Sequence, residues 1–270
     1  MKILMIIFSA TGNTLKVEQT IIKRLQELGA SLTSYNIANR NVRSEARNVN
    51  DYAGIIFGFP IYAWRSPKPV REWIPKLEGQ NKACAIFFTY GGIHVGAAHY
   101  DTKKLLEQQG FKVIASAEFV ANHTYNLGGW NLNIDRPDEN DLEVARKYAE
   151  LLFDRFAEND PSISSIPNPH ISENILNKIK LSVDMGIKSP TILEDQCTSC
   201  GICEELCPNS AIDAEKKRIN RNNCIKCFRC IVNCPEDALE SPDLRKQLEF
   251  TMEKNKLSTS DINGKKSRIL

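Results

Sequence analysis

Hydrophobic positions follow two rhythms over residues 1–158. Continuous apolar runs of strand length alternate with stretches in which apolar residues return every three or four positions. "KILMIIF" is continuously apolar from Ile3 to Phe8, as expected of a central parallel strand covered on both faces. From Asn13, "NTLKVEQTIIKRLQELG" sets Leu15, Val17, Ile21, Ile22, Leu25 and Leu28 mostly on one helical stripe, and Gly29 follows as a stop. "SLTSYNI" predicts a weaker, more polar second strand. "AGIIFGF", "ACAIFFTY" and "FKVIASAEFV" predict the third, fourth and fifth. Between them, "SPKPVREWIPKL" reads as a short helix with an awkward Pro75 near its end. "YDTKKLLEQQ", closed by Gly110, reads as another, and a last helix covers roughly Glu139 to Glu158. Strand–helix alternation with right-handed crossovers predicts an α/β fold, a doubly wound five-stranded parallel sheet in the order 2-1-3-4-5.

The rhythm then stops. "NDPSISSIPNPH" has linker composition, so 159–190 is expected to be a linker with a short helix at "ENILNKIK". A small α+β region is expected over 191–241. The charged segment 242–270, with "GKKSR" near its end, reads as a frayed helix or tail. An apolar share of 42%, a charged share of 25% and a formal charge of +2 over 270 residues fit a globular protein and give no sign of nucleic-acid binding. No apolar run approaches the roughly 18 residues of a membrane span. Met1 leads directly into the first strand without room for a signal peptide, so the expected compartment is the cytoplasm.

Nine cysteines change the picture. Cys84 stands alone in a strand and is expected to be a small core residue; the other eight fall between Cys197 and Cys234. They form a repeat: "CTSCGICEELCPNSAI" from Cys197 and "CIKCFRCIVNCPEDAL" from Cys224, each C-x2-C-x2-C-x3-C-P. Thiolates at two-residue spacing on tightly wound backbone can converge on the corners of an iron–sulfur cube, and the fourth cysteine points to the neighbouring cluster. The sets should therefore cross. Cys197, Cys200, Cys203 and Cys234 would hold one [4Fe–4S] cluster, and Cys224, Cys227, Cys230 and Cys207 the other. Zinc needs two pairs per ion and explains neither the extra cysteine in each run nor the cysteine–proline ending. Residues 191–241 resemble a bacterial-type dicluster ferredoxin at all eight ligands and both prolines. Phe228 departs from that pattern, standing where the first copy has Gly201; it would either dry the second cluster or pack the small core.

After the first strand comes "FSATGNT". Neither the nucleoside-triphosphate loop nor the G-x-G-x-x-G fingerprint occurs there. Three hydroxyls (Ser9, Thr11 and Thr14) with Ala10, Gly12 and Asn13 between them, at a helix N-terminus, suit a single terminal phosphate. This S/T-x-T-G-x-T pattern resembles that of flavodoxins, and 1–158 resembles a flavodoxin-like FMN domain. The resemblance implies that two further loops sandwich the flavin ring: Pro60, Ile61, Tyr62, Ala63 and Trp64 after the third strand, and Thr89, Tyr90, Gly91 and Gly92 after the fourth. Tyr62 or Trp64 would take one face and Tyr90 the other. "NHTYNLGGW" could reach or cover the flavin through Tyr125 and Trp130. His94, His99, His123 and His170 share no ligand spacing and are expected at the surface or in packing.

The whole chain resembles fused flavodoxin–ferredoxin electron-transfer proteins, often encoded in anaerobes. That resemblance implies transfer between two [4Fe–4S] clusters and FMN, with weak, transient docking to redox partners of ferredoxin type. With both clusters at about −2 and the FMN phosphate at about −2, the formal charge becomes about −4. No general acid or base is evident near the flavin loops and no nicotinamide motif exists, which favours a carrier over a flavoenzyme reducing a quinone or nitro compound. A non-redox iron–sulfur sensor would leave the FMN loop without a purpose. Exchange between two copies of the chain, and hence a homodimer, is left open.

Overall fold

Leu4 and Ile6 pack on one face of a sheet while Ile3, Met5 and Ile7 pack on the other. The continuously apolar run is thus covered twice. In the computed structural model, which describes residues 1–45, 48–158 and 166–270, it forms β1 (Lys2–Ile7). β2 (Ser31–Asn36), β3 (Gly54–Pro60), β4 (Ala83–Tyr90) and β5 (Lys112–Val120) join it in parallel. Their order is 2-1-3-4-5, as expected.

The first helix, α1 (Asn13–Glu27), buries Val17, Ile21 and Leu25 on the Ile3 face. A five-residue helix that the sequence pattern did not reveal, α2 (Arg40–Ser44), follows β2. α3 (Lys68–Trp73) and α4 (Ala98–Gln108) cover the Leu4 face through Val70, Trp73 and Leu106. Pro75 is accommodated because the helix tightens into a 3-10 turn at Ile74–Lys76. α5 (Glu139–Glu158) lies beside α1, and its buried Tyr148 donates a 2.8 Å hydrogen bond to the carbonyl of Ile86.

Part of the linker, 159–165, lies outside the described residues. α6 (Glu173–Gly186) runs longer than "ENILNKIK" and is capped by Ser172. In the cysteine region, β6 (Thr191–Ile192) pairs with β9 (Leu239–Glu240), and β7 (Ile212–Asp213) with β8 (Arg218–Ile219). α7 (Ile202–Leu206) and α8 (Arg229–Val232) each follow a cysteine loop. The repeat extends to the backbone: Ser199, Gly201 and Ser210 match Lys226, Phe228 and Asp237, and all six have positive φ.

The segment 242–270 corrects the expectation of a frayed tail. It forms α9 (Arg245–Asn255), α10 (Thr259–Asn263) and β10 (Arg268–Ile269). β10 pairs antiparallel with β5, so the sheet has six strands rather than five. Arg268 donates a 2.8 Å hydrogen bond to the buried carboxylate of Glu118, and Ser267 accepts one from the Val120 amide at 2.9 Å. α9 shows little helical patterning because it buries no residue fully; Leu248 and Met252 are only partly covered.

A core separate from the two sheet faces joins the parts. It contains Trp130 and Leu132 from the loop after β5, Ile187 after α6, Leu244, Ile262 and Phe228. Trp130 donates its indole N–H to the carbonyl of Leu244 at 2.9 Å. Phe228 is 1% exposed, with its ring centroid 5.4 Å from that of Tyr125, yet its φ is 55°. A left-handed non-glycine residue costs about 1–2 kcal/mol, against about 1.5–3 kcal/mol from burying a phenyl ring. The ring thus offsets the strain only by docking against the α/β unit. It packs this junction rather than the small cysteine core alone. Phe228→Gly restores the residue of the first copy, relieves the strain and removes the ring, for an expected net loss of about 2–3 kcal/mol. The loss should appear as a lower urea midpoint for disruption of the cysteine region; an unchanged midpoint would show that the ring does not carry the docking.

Candidate functional site

The "FSATGNT" loop is held from β2. Asn36 accepts a 3.0 Å hydrogen bond from the Ser9 amide, and its side-chain amide donates to the Ser9 carbonyl, also at 3.0 Å. Gly12, at φ 99°, starts α1 without a side-chain cap, so the first-turn amides are left to other acceptors. Ser9 Oγ accepts one of them, from Leu15, at 3.2 Å. Thr14 Oγ1 lies 2.8 Å from Thr89 Oγ1, and Thr11 Oγ1 lies 3.4 Å from Thr124 Oγ1. The loop after β5 is tied in as well, because Asn13 donates to the Asn122 carbonyl at 2.7 Å. Each hydroxyl keeps further bonding capacity, since it can both donate and accept.

The loop after β3 reverses sharply. Tyr62 and Arg65 exchange backbone hydrogen bonds of 2.8 and 3.1 Å across Ala63 and Trp64. Both central residues are left-handed, at φ 48° and 69°. This mirror-image turn normally carries asparagine or glycine, so the sequence offered no sign of it. The Trp64 carbonyl accepts from the Ala97 amide at 3.0 Å, and the Trp64 ring lies edge-on to His94 with centroids 5.2 Å apart. Such strain persists where the surroundings over-determine it. Arg65, 5% exposed, is fixed by Asp101 at 3.1 Å and by two hydrogen bonds to Glu173 of α6, one of them 2.8 Å. In the loop after β4, close approach demands glycine at Gly91, where a Cβ would stand 2.0 Å from His123.

Together these loops line a cavity of about 660 Å³. Every residue expected to contact a flavin lines it except Gly12 and Gly92. Tyr125 and Trp130 do so too, along with His94 and His123, which pack against Trp64 and Trp130 as expected of packing residues. His99 lies elsewhere, buried between Ser116 and Glu118. α6 forms another wall through Leu176, Ile179 and Val183, and Arg65, Lys68, Arg71, Lys180, Lys188 and Arg221 bring positive charge to the lining. Burial raises the Tyr62 phenol well above its ordinary value and pushes Tyr90 up to about 12. Both therefore face the cavity as neutral hydrogen-bonding aromatics. Hydroxyls at one end, aromatic walls and a volume within the usual range of ligand pockets fit a flavin carrying a phosphate.

The eight clustered cysteines line two small hollows, four to each. Cys197, Cys200, Cys203 and Cys234 line one; Cys207, Cys224, Cys227 and Cys230 line the other. The amides of Ala211 and Ala238 donate to the sulfurs of Cys207 and Cys234 at 3.2 and 3.3 Å, at equivalent points of the repeat. Burial, with neighbouring thiols adding to it, pushes Cys203 up to about 11; burial pushes Cys227 up to about 12. Four crowded thiols resist ionising in an apolar hollow unless a cation is present, as a cluster would provide. Among the described residues no three His, Cys, Asp or Glu side chains form a single-ion site. Cys84 is fully buried in the sheet core, as expected.

The second hollow lies against the large cavity, since Cys224 and Ile225 line both. Arg40 and Arg43 of α2 hold this arrangement by donating to the carbonyls of Glu204 and Pro208. Lys226, 7% exposed, pairs with Asp184 of α6 at 2.9 Å. Neither the α2 arginines nor the α6 acids formed a recognisable motif, because their partners are distant in sequence.

Fold and cysteine region define a chain that joins a parallel α/β sheet of flavodoxin-like strand order to a 4Fe–4S dicluster region, the latter indicating iron–sulfur chemistry. Residues 189–235 match the family model of the 4Fe-4S dicluster domain. An uncharacterized protein of Methanocaldococcus jannaschii is 27% identical over 146 residues, 52% of this chain and 90% of that protein. An uncharacterized polyferredoxin-like protein of the same organism is 48% identical over 56 residues, 21% of this chain and 25% of that protein. Among solved structures, a flavodoxin from the domain Archaea is similar with a TM-score of 0.45 at 14% identity, over 58% of this chain and 99% of its own. Rubredoxin oxygen:oxidoreductase from the anaerobe Desulfovibrio gigas is similar with a TM-score of 0.45 at 18% identity, over 58% of this chain and 36% of its own. Among the described residues no helix is long and apolar enough to cross a membrane.

His123 gives the site a pH dependence. Burial pushes its pKa down to about 4, whereas in the unfolded chain the imidazole takes a proton near pH 6.5. The unfolded state therefore binds the proton first, and stability falls as pH drops from about 6.5 to about 4. His123→Asn keeps an acceptor for the Tyr125 amide, which Nδ1 of the imidazole accepts at 3.1 Å. Denaturation of both proteins across this range should show a shallower acid loss in the variant; parallel curves would contradict a neutral, partly buried His123.

Proposed function

We propose that this chain is an electron-transfer protein in which the crossed cysteine sets hold two [4Fe–4S] clusters and the large cavity holds FMN. The observation that carries this reading is the shared wall: Cys224 belongs both to the second hollow and to the cavity. When bound, the clusters exchange single electrons and the flavin one or two, so one-electron carriers can be coupled to a two-electron reaction. The chain supplies binding, orientation and distance. Ser9, Thr11, Thr14 and the first-turn amides of α1 hold the phosphate, with Ala10, Gly12 and Asn13 forming the rest of its loop. Pro60, Ile61, Tyr62, Ala63 and Trp64 line one side of the flavin ring. Thr89, Tyr90 and Gly91 line the other, with Gly92 completing that loop. Cys197, Cys200, Cys203 and Cys234 form the outer hollow, with Cys200 exposed to a docking partner; Cys224, Cys227, Cys230 and Cys207 form the inner one.

The partner is a ferredoxin-type donor or acceptor. Protein purified without oxygen should carry about eight iron atoms and about one FMN per chain; bound zinc or absent flavin would overturn the assignment. The competitor to the carrier reading is a flavoenzyme that reduces a small acceptor, a quinone or nitro compound, admitted to the open cavity beside the flavin. Reduced ferredoxin and a panel of quinones and nitro compounds separate the two. Fast exchange with ferredoxin and slow turnover with every small acceptor is the expected result. Rapid turnover with one acceptor would make the chain a flavoenzyme.

A further inference from the structure

The two cysteine hollows differ in the charge around them. Among the described residues, and apart from cysteines, the only charged residue lining the outer hollow is Glu236, and the only one lining the inner hollow is Arg229. Both break the repeat: the position equivalent to Arg229 is Ile202, and the position equivalent to Glu236 is Asn209. Arg229 is the first residue of α8, directly after the left-handed Phe228. Its Nη1 is buried and has no hydrogen-bond partner, so a donor is held out of water beside the sulfurs of Cys207, Cys224, Cys227 and Cys230. Lys226, the other cation of this loop, is already paired with Asp184.

Burial alone would make the inner site the harder one to reduce. Cys227 and Cys230 are 7% and 9% exposed, while Cys200 of the outer set is exposed. Adding an electron to an already anionic cluster is less favourable in a low dielectric, whereas a nearby fixed cation favours it. On the cluster assignment proposed above, we infer that Arg229 sets the reduction potential of the inner cluster, raising it against burial; Glu236 of the outer hollow is exposed, so water screens its charge. Arg229 is a positioned charge, not a ligand. The gradient favours electrons moving from the exposed outer site to the inner site beside the cavity.

Redox titration of the full holoprotein, followed by the spectrum of each reduced cluster, tests this without reference to activity. Arg229→Gln should lower one cluster couple by about tenfold in its reduction equilibrium, about 59 mV for one electron, and leave the other within error. Arg229→Lys should retain most of the parent potential. Ile202→Arg, which places a cation at the equivalent point of the other half, should raise the couple that Arg229→Gln leaves unmoved. Both variants moving the same couple, or neither moving any, would overturn the inference. If Arg229→Gln loses half its iron, Ile202→Arg decides: a raised couple supports the inference and an unmoved one rejects it. Iron well below eight per chain in the parent protein would instead reject the cluster assignment itself, a different failure.

Discussion

The functional geometry depends on one contact, the packing of Phe228 against Tyr125 and the core around Trp130. A phenyl ring on a left-handed backbone is unfavourable in an isolated loop and becomes tolerable when buried between two units. Burying it brings the second cysteine loop, with Cys224 and Ile225, to the wall of the large cavity. Without it, the linker, the arginine contacts of α2 and the Lys226–Asp184 pair would still join the two parts, but the second cysteine loop would lose its apolar anchor in the junction core. Separation is what a chain of redox centres most needs its protein to control.

α6 reinforces that geometry from the other side. Glu173 near its start pairs with Arg65 in the strained loop after β3, and Asp184 near its end pairs with Lys226 in the second cysteine loop. Between them, Leu176, Ile179 and Val183 face the cavity. The helix spans both units with an ion pair at each end and an apolar stripe inward, which also covers part of the cavity wall from water. Arg65 and Lys226 are each less than a tenth exposed, whereas Glu173 is exposed and Asp184 partly so, so water still screens each pair from its carboxylate side.

The strands, the main helices and the cysteine repeat were legible because each rests on local periodicity or spacing. β4 and α5 fall where their patterns placed them, and the flavin-loop residues converge because parallel strands aim their C-terminal loops at one place. What was not legible depends on contacts between distant residues. β10 has only two residues, and its pairing with β5 is fixed by Ser267 and Arg268 meeting Val120 and Glu118. α9 carries too few inward residues to show a stripe. The turn at Ala63 and Trp64 uses residues that local propensity disfavours, and Asn36 clamps the phosphate loop from another strand. His123 gave no signal because its role comes from packing against Gly91 and Trp130.

The central claim is that the two parts of one chain form a single electron path. Stopped-flow reduction of the holoprotein by a one-electron donor, monitored at the flavin across a wide range of protein concentrations, addresses it directly. With clusters and flavin in one fixed arrangement, the flavin should be reduced after the clusters at a rate independent of protein concentration. A rate that rises in proportion to protein concentration would mean that electrons pass between chains, and would contradict the path drawn through the shared wall at Cys224.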